Sequence, residues 1–140
     1  MFEKSFEDRF REWYNFRLSL ETSETPFDDV INCWNTAPIY SIATDPYNRD
    51  TWPTPWQMLK ENRYCEFTKI LAIYYTLQLT DRFSASRYEI HIVLDKKESA
   101  MRHLLFVDNQ AIGYYYDKSI DKTDLPSLQC QMQYTTLPTY

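Results

Sequence analysis

Apolar side chains recur every four residues at the start of the chain: Phe2, Phe6, Phe10, Tyr14 and Leu18, with Trp13 beside them. That spacing predicts an amphipathic helix over about residues 2–20, packed by this stripe, with Glu, Lys, Asp and Arg on the other face. Thr25-Pro26-Phe27-Asp28 reads as a second helix start, with Thr25 as cap and Pro26 at the first position. Phe27, Val30, Ile31 and Trp34 follow at helical spacing, and Cys33 lies one position off that stripe. Residues 35–50, NTAPIYSIATDPYNRD, carry two prolines and several turn formers and predict a loop. Asp45, Asn48 and Asp50 within it lack the EF-hand pattern and its central glycine, so they read as turn residues and not as metal ligands.

The longest apolar stretch follows. Thr54-Pro55-Trp56-Gln57 repeats the capping signal and opens a short helix to about Glu61. Asn62 is placed to cap the next helix, which sets Cys65 in its first turn. Phe67, Ile70, Leu71, Tyr74 and Leu77 give that helix a buried face, and Ile73 and Tyr75 extend the apolar character around it. A helix covered on so many sides is expected at the centre of the fold.

After Thr80-Asp81 the period shortens. Tyr88 to Leu94 is β-branched and partly alternating and predicts a strand. A polar connection, 95–100, leads to a second strand over Arg102 to Val107. Asp108-Asn109-Gln110 reads as a turn and Ala111 to Tyr116 as a third strand. The tail from Lys118, with Pro126 and Pro138, is expected to pack as an irregular edge. Helices first and an antiparallel sheet second make a single α+β domain over residues 1–140.

Composition narrows the function. The chain is 17% aromatic, which predicts a ring-rich core. Its only glycine, Gly113, excludes phosphate-cradling glycine loops and nucleotide fingerprints. A net charge of −5, with basic residues interleaved among acids, argues against a nucleic-acid partner. Cys33, Cys65 and Cys130 are an odd count without metal-ligand spacing, so neither a disulfide framework nor a zinc site is expected. The amino terminus is charged from its third residue, and no run approaches the roughly 20 apolar residues of a membrane span. These features lead us to expect a cytoplasmic protein with no membrane partner and no cofactor.

A cysteine at a helix start sits where backbone N–H groups and the helix dipole favour a thiolate. Two histidines are present, His91 and His103. If the last hairpin has a three-residue loop, Asn109 to Ala111, then His103 lies across from Asp117, with Cβ atoms about 4.5–5.5 Å apart. A two-residue loop would bring Tyr116 there instead, and periodicity does not choose between them. The candidate catalytic set is therefore Cys65 as nucleophile, His103 as base and Asp117 as the group that orients the base. The Cys65 N–H is one oxyanion donor, and Gln57 and Trp52 are candidates for the second.

The stretch resembles the bacterial transglutaminase-like cysteine peptidases, a branch of the papain-like transglutaminase superfamily. That family shows D-x-W-x-T-P-x-E-x-L, then G-D-C-E-D before a helix, a later strand beginning H-A-V-L, and a following strand ending L-D-N. Here Asp50, Trp52, Thr54, Pro55 and Leu59 stand in order, followed by Cys65-Glu66, His103-Leu104-Leu105 and Tyr116-Asp117. Tyr40 and Asp45 also match the approach to the tryptophan, and the likeness covers roughly residues 30–120. By that resemblance Cys65, His103 and Asp117 are the triad, and His91 is not the matching histidine. Tyr64 and Phe67 stand where the family has carboxylates that bind calcium, leaving Glu66 alone and implying no bound metal. The resemblance implies a thiol hydrolase acting on an amide bond of a peptide or protein, and without the family's usual secretion signal we expect it to be small and intracellular or phage-borne. The alternative is a binding or structural module that keeps the fold without turnover, which the many Tyr residues would suit.

Overall fold

A computed structural model describes residues 1–40 and 44–135. Four α-helices precede an antiparallel sheet, so the chain is an α+β protein. The helices are α1 (Phe6–Leu20), α2 (Pro26–Asn35), α3 (Pro55–Glu61) and α4 (Glu66–Gln78). The strands are β1 (Tyr88–Asp95), β2 (Ala100–Val107), β3 (Gln110–Ile112), β4 (Ile120–Asp121) and β5 (Gln129–Thr135). They lie in the order β4-β3-β2-β1-β5. None of the described helices is long and apolar enough to cross a membrane.

Alpha1 begins at a Ser5 cap, and of the expected stripe Phe2 is buried and Phe6 packs on the core, as does Trp13 beside it. Arg9, Trp13 and Leu20 are its buried residues, whereas Phe10, Tyr14 and Leu18 are exposed. Each four-residue step turns a helix by 400°, so a strict four-residue repeat drifts off the packing face. Arg9 is buried because its guanidinium donates to the carbonyls of Leu59, at 2.8 and 3.0 Å, and of Lys60, at 3.3 Å. Those are carbonyls at the C-terminal end of α3, which an arginine can satisfy.

Alpha3 has the predicted capping box: Thr54 accepts from Gln57 N, and the Gln57 side-chain oxygen accepts from Thr54 N. Asn62 ends α3 in the left-handed region, at φ 54°, and so does not cap α4. Cys65 itself is the N-cap of α4, three residues beyond the expected cap at Asn62, with extended φ and ψ of −118° and 179°. Every residue of α4 from Ile70 onward is buried. Thr76 Oγ1 accepts the indole N–H of both Trp13 and Trp34, each at 3.0 Å, tying α1 and α2 to this central helix.

The sheet has two covered faces. Ile90, Ile92, Leu105, Val107 and Ile112 join the helical core, while Val93, Leu104, Phe106 and Ala111 form a second cluster under Ile120, Leu125 and Leu128. The tail is therefore more ordered than expected. It crosses the outer face and returns as β5 beside β1, so that β1 has a strand on each side and β2 is the middle strand. Pro138, and the middle of the loop read over 35–50, lie outside the described residues.

The last hairpin corrects the expected register. Val107 pairs with Gln110 and Leu105 with Ile112, so the loop is Asp108-Asn109. Asp108 N donates to Arg87 O, and Asp108 Oδ1 accepts from Arg87 N, both at 2.9 Å. These bonds hold Asp108 against the start of β1 and close the turn one residue before either predicted alternative. Beta3 ends at Ile112, four residues short of Tyr116, because Gly113 turns the chain at φ 110°. Asp117 consequently lies in an exposed segment past the strand and is not paired across from His103.

Candidate functional site

Alternation along β2 sets His103 on the helix-facing side with Leu105 and Val107. There its ring meets Phe67 of α4 edge-on, with centroids 5.3 Å apart. The carboxylate beside it is Glu66, not Asp117: His103 Nδ1 lies 3.8 Å from Glu66 Oε1. At that distance the contact is an electrostatic approach, not a formed hydrogen bond, and His103 Nδ1 is buried without a hydrogen-bond partner. The imidazole holds the Glu66 carboxyl below the usual carboxylate range, with Arg102 and Lys69 adding smaller effects of the same sign.

Cys65 is 7% exposed. Its Sγ is 3.1 Å from Thr68 Oγ1, and that hydroxyl in turn donates to Thr44 Oγ1 at 3.2 Å. The thiol thus belongs to a buried chain of hydroxyls, while the neighbouring Glu66 faces the imidazole. The two groups considered for a second oxyanion donor have other tasks. Trp52 Nε1 donates to Asp45 O at 3.1 Å, and Gln57 caps α3. Asp45 is a turn residue, its Oδ1 accepting from Tyr47 N at 2.9 Å.

His103 and Glu66 line a cleft of about 380 Å³ whose lining does not include Cys65. The buried part of the lining is aliphatic, Ile31, Ile70, Ile73 and Ile112, and the exposed Ile39 lies on its border. Tyr114, Tyr115 and Tyr116 stand at the mouth, and the last is 74% exposed. Gly113 forms part of the wall, where its backbone passes so close to His103 that no larger residue has room.

Two cations border the cleft and differ in how they are matched. Arg102 Nε donates to Asp95 Oδ2 at 3.0 Å, and its guanidinium lies 5.1 Å from the Tyr114 ring centre. Lys69 Nζ donates to Asn35 Oδ1 at 3.0 Å and lies 5.5 Å from the Tyr116 ring centre. Burial lowers the Lys69 pKa, and Glu66 only partly opposes this.

Lys69, Asn35 and Arg102 were not among the residues that the sequence pattern singled out. Their one visible trace is that Glu66 and Lys69 are the only charges in the apolar helix 66–78. Among the described residues, no group of three or more His, Cys, Asp or Glu is placed to hold a metal ion. No family model, curated protein or solved structure matches the chain. The transglutaminase-like resemblance therefore stands on its motif residues alone.

Proposed function

We propose that this domain is a binding module of transglutaminase-like ancestry that receives a short segment of a protein partner in the α4–sheet cleft without cleaving it. The observation that carries this reading is the form of the cleft, whose lining includes His103 and Glu66 and not Cys65. His103 and Glu66 face a cavity with an aliphatic floor and a tyrosine mouth, whereas Cys65 is buried in a hydroxyl chain with Thr68 and Thr44. A concave, mostly apolar site with a few convergent polar groups is the usual form of a ligand pocket. Exposed tyrosines suit recognition of protein segments.

Hydrolysis of an amide bond is the second reading, favoured by the position of Cys65 at the start of α4, directly before the residue that meets His103. In that chemistry His103 takes the thiol proton as the thiolate attacks the carbonyl carbon. The proton then passes to the departing amine, and water releases the acyl group from sulfur.

Photocrosslinking with a mixture of short benzophenone-bearing peptides separates the two. The binding reading expects adducts at Tyr114–Tyr116 that are lost in Ile73→Glu, intact peptides after incubation, and no acyl group on Cys65. Cleaved peptide or a Cys65 thioester, abolished by His103→Ala, would establish the hydrolase instead. Absence of adducts at the cleft would refute the binding reading.

A further inference from the structure

The charges around the cleft do not balance, and the imbalance has a specific location. Arg102 is matched by Asp95 at 3.0 Å, and Glu66 is approached by His103 at 3.8 Å. Lys69 is different. Among the described residues its ammonium makes one hydrogen bond, to the neutral Asn35 side chain, and no ion pair. An ammonium carries three donors, so two are left for a ligand or water.

The ammonium is also held in place. Asn35 Nδ2 donates to Tyr116 O at 2.8 Å, which turns its Oδ1 towards Lys69 Nζ. The Tyr116 ring centre lies 5.5 Å from the cation. A lysine stem normally loses considerable freedom when its charge is fixed, and here that ordering precedes binding. Half-burial at a site without a carboxylate partner leaves the charge incompletely solvated, consistent with its lowered pKa. An anion entering the cleft would complete it, through a charge-assisted hydrogen bond.

Beside this cation the floor is formed by the buried isoleucines at 31, 70, 73 and 112. A complementary ligand therefore has a branched or linear aliphatic body and one carboxylate. The volume, about 380 Å³, is at the small end of the roughly 300–1,000 Å³ typical of ligand pockets. It suits the end of a chain better than a segment running through.

We infer that the cleft captures the C-terminal carboxylate of a protein partner whose last residue is aliphatic, with Lys69 as the carboxylate anchor and the isoleucine floor as the side-chain pocket. This rests on the binding reading above and names its ligand class. Glu66, on the same rim, would disfavour a carboxylate placed on the His103 side, so the anion is directed to the Lys69–Asn35 side.

The test uses fluorescein-labelled hexapeptides ending in isoleucine, as free acids and as C-terminal amides, with anisotropy titration of the full chain. The acid should bind about tenfold or more tightly than the amide, the range expected for a hydrogen bond to a charged group. Lys69→Met should reduce acid binding to the amide level, and Lys69→Arg should retain a preference for the acid. Thermal melting of each variant checks that the fold survives, and Lys69→Gln serves in place of the methionine variant if that one does not fold. Equal binding of acid and amide by the unmodified protein would overturn the carboxylate inference while leaving the binding reading intact. A preserved acid preference in Lys69→Met would remove Lys69 as the anchor. If 3-methylpentanoate alone displaces the peptide at the peptide's own concentration, the ligand is a free aliphatic acid and not a protein terminus. If neither peptide binds, the binding reading fails with the inference.

Discussion

The carbonyl oxygen of His103 occupies the space in which a side chain on Gly113 would begin: a Cβ built there stands 2.3 Å from it. The obstacle is backbone, so it cannot swing aside, and φ at Gly113 is 110°, a conformation other residues rarely adopt. Gly113→Ala should therefore destabilise the fold by about 1–3 kcal/mol. It should also displace the strand segment carrying His103. Urea denaturation gives the first quantity, and the amide shifts of residues 102–104 report the second. An alanine variant as stable as the parent would mean that the close approach is not maintained.

Thr76 supplies a second sharp expectation. Its hydroxyl accepts from the Trp13 and Trp34 indoles and donates to Ala72 O at 2.6 Å, so all three of its hydrogen-bonding positions are used. Thr76→Val keeps the shape and leaves two buried N–H groups without an acceptor. At about 1–3 kcal/mol for each stranded donor, the loss for the two should be roughly 2–6 kcal/mol. Thr76→Ser should lose much less, and equilibrium unfolding of the two variants makes the comparison.

The three thiols should separate in their reaction with iodoacetamide. Cys130 lies exposed on β5, Cys65 is buried at the start of α4, and burial pushes the Cys33 thiol up to about 12. Alkylation needs an accessible thiolate. At pH 7.5, mass-spectrometric mapping should find Cys130 modified first and Cys33 last. Rapid modification of Cys65 that slows in His103→Ala would contradict this order and favour the hydrolase reading.

His91 should make the protein lose stability in mild acid. On the outer face of β1 it packs on Phe106 of β2, near Glu89 of its own strand and Lys122 of the crossing tail. Burial lowers its pKa, Glu89 opposes this, and Lys122 reinforces it. The unfolded chain then binds a proton at about pH 6.5 that the native protein still refuses. Stability from this group is present above pH 6.5 and is lost as the pH falls towards the lower native pKa. The Glu66 carboxyl, lowered by His103, acts in a more acidic window, with its contribution lost below about pH 4.5. Melting temperatures between pH 7 and 5 should fall in the parent chain and fall less in His91→Gln.

Local signals carried much of the fold. The capping box at Thr54 and Gln57 and the near-continuous burial of α4 depend on neighbours within a few residues, so the sequence contains them outright. What escaped depends on distant partners. Arg9 sits in the core because α3 ends against it, and no pattern within residues 2–20 announces that. Beta5, QCQMQYT, has only Tyr134 buried, and it became a strand by pairing with the exposed edge of β1. At the candidate site, His103 was correctly placed on a strand facing the cysteine-bearing helix. Its carboxylate neighbour was not, because Gly113 ends β3 before Asp117 and the first turn of α4 brings in Glu66.

The strand order also has a consequence for the nascent chain. Beta1, rich in Ile, Val and Leu, is an interior strand of the sheet only because the last described strand covers one of its edges. During synthesis that edge stays open until residues 129–135 have emerged, after the helices and the β1–β2–β3 meander are already available to fold. An open edge with unpaired N–H and C=O groups invites a neighbouring chain. The polar glutamines of β5 thus act as a late-arriving shield against self-association. A chain ending at Leu128 should retain the helical signal in circular dichroism yet scatter light at concentrations where the full chain stays clear.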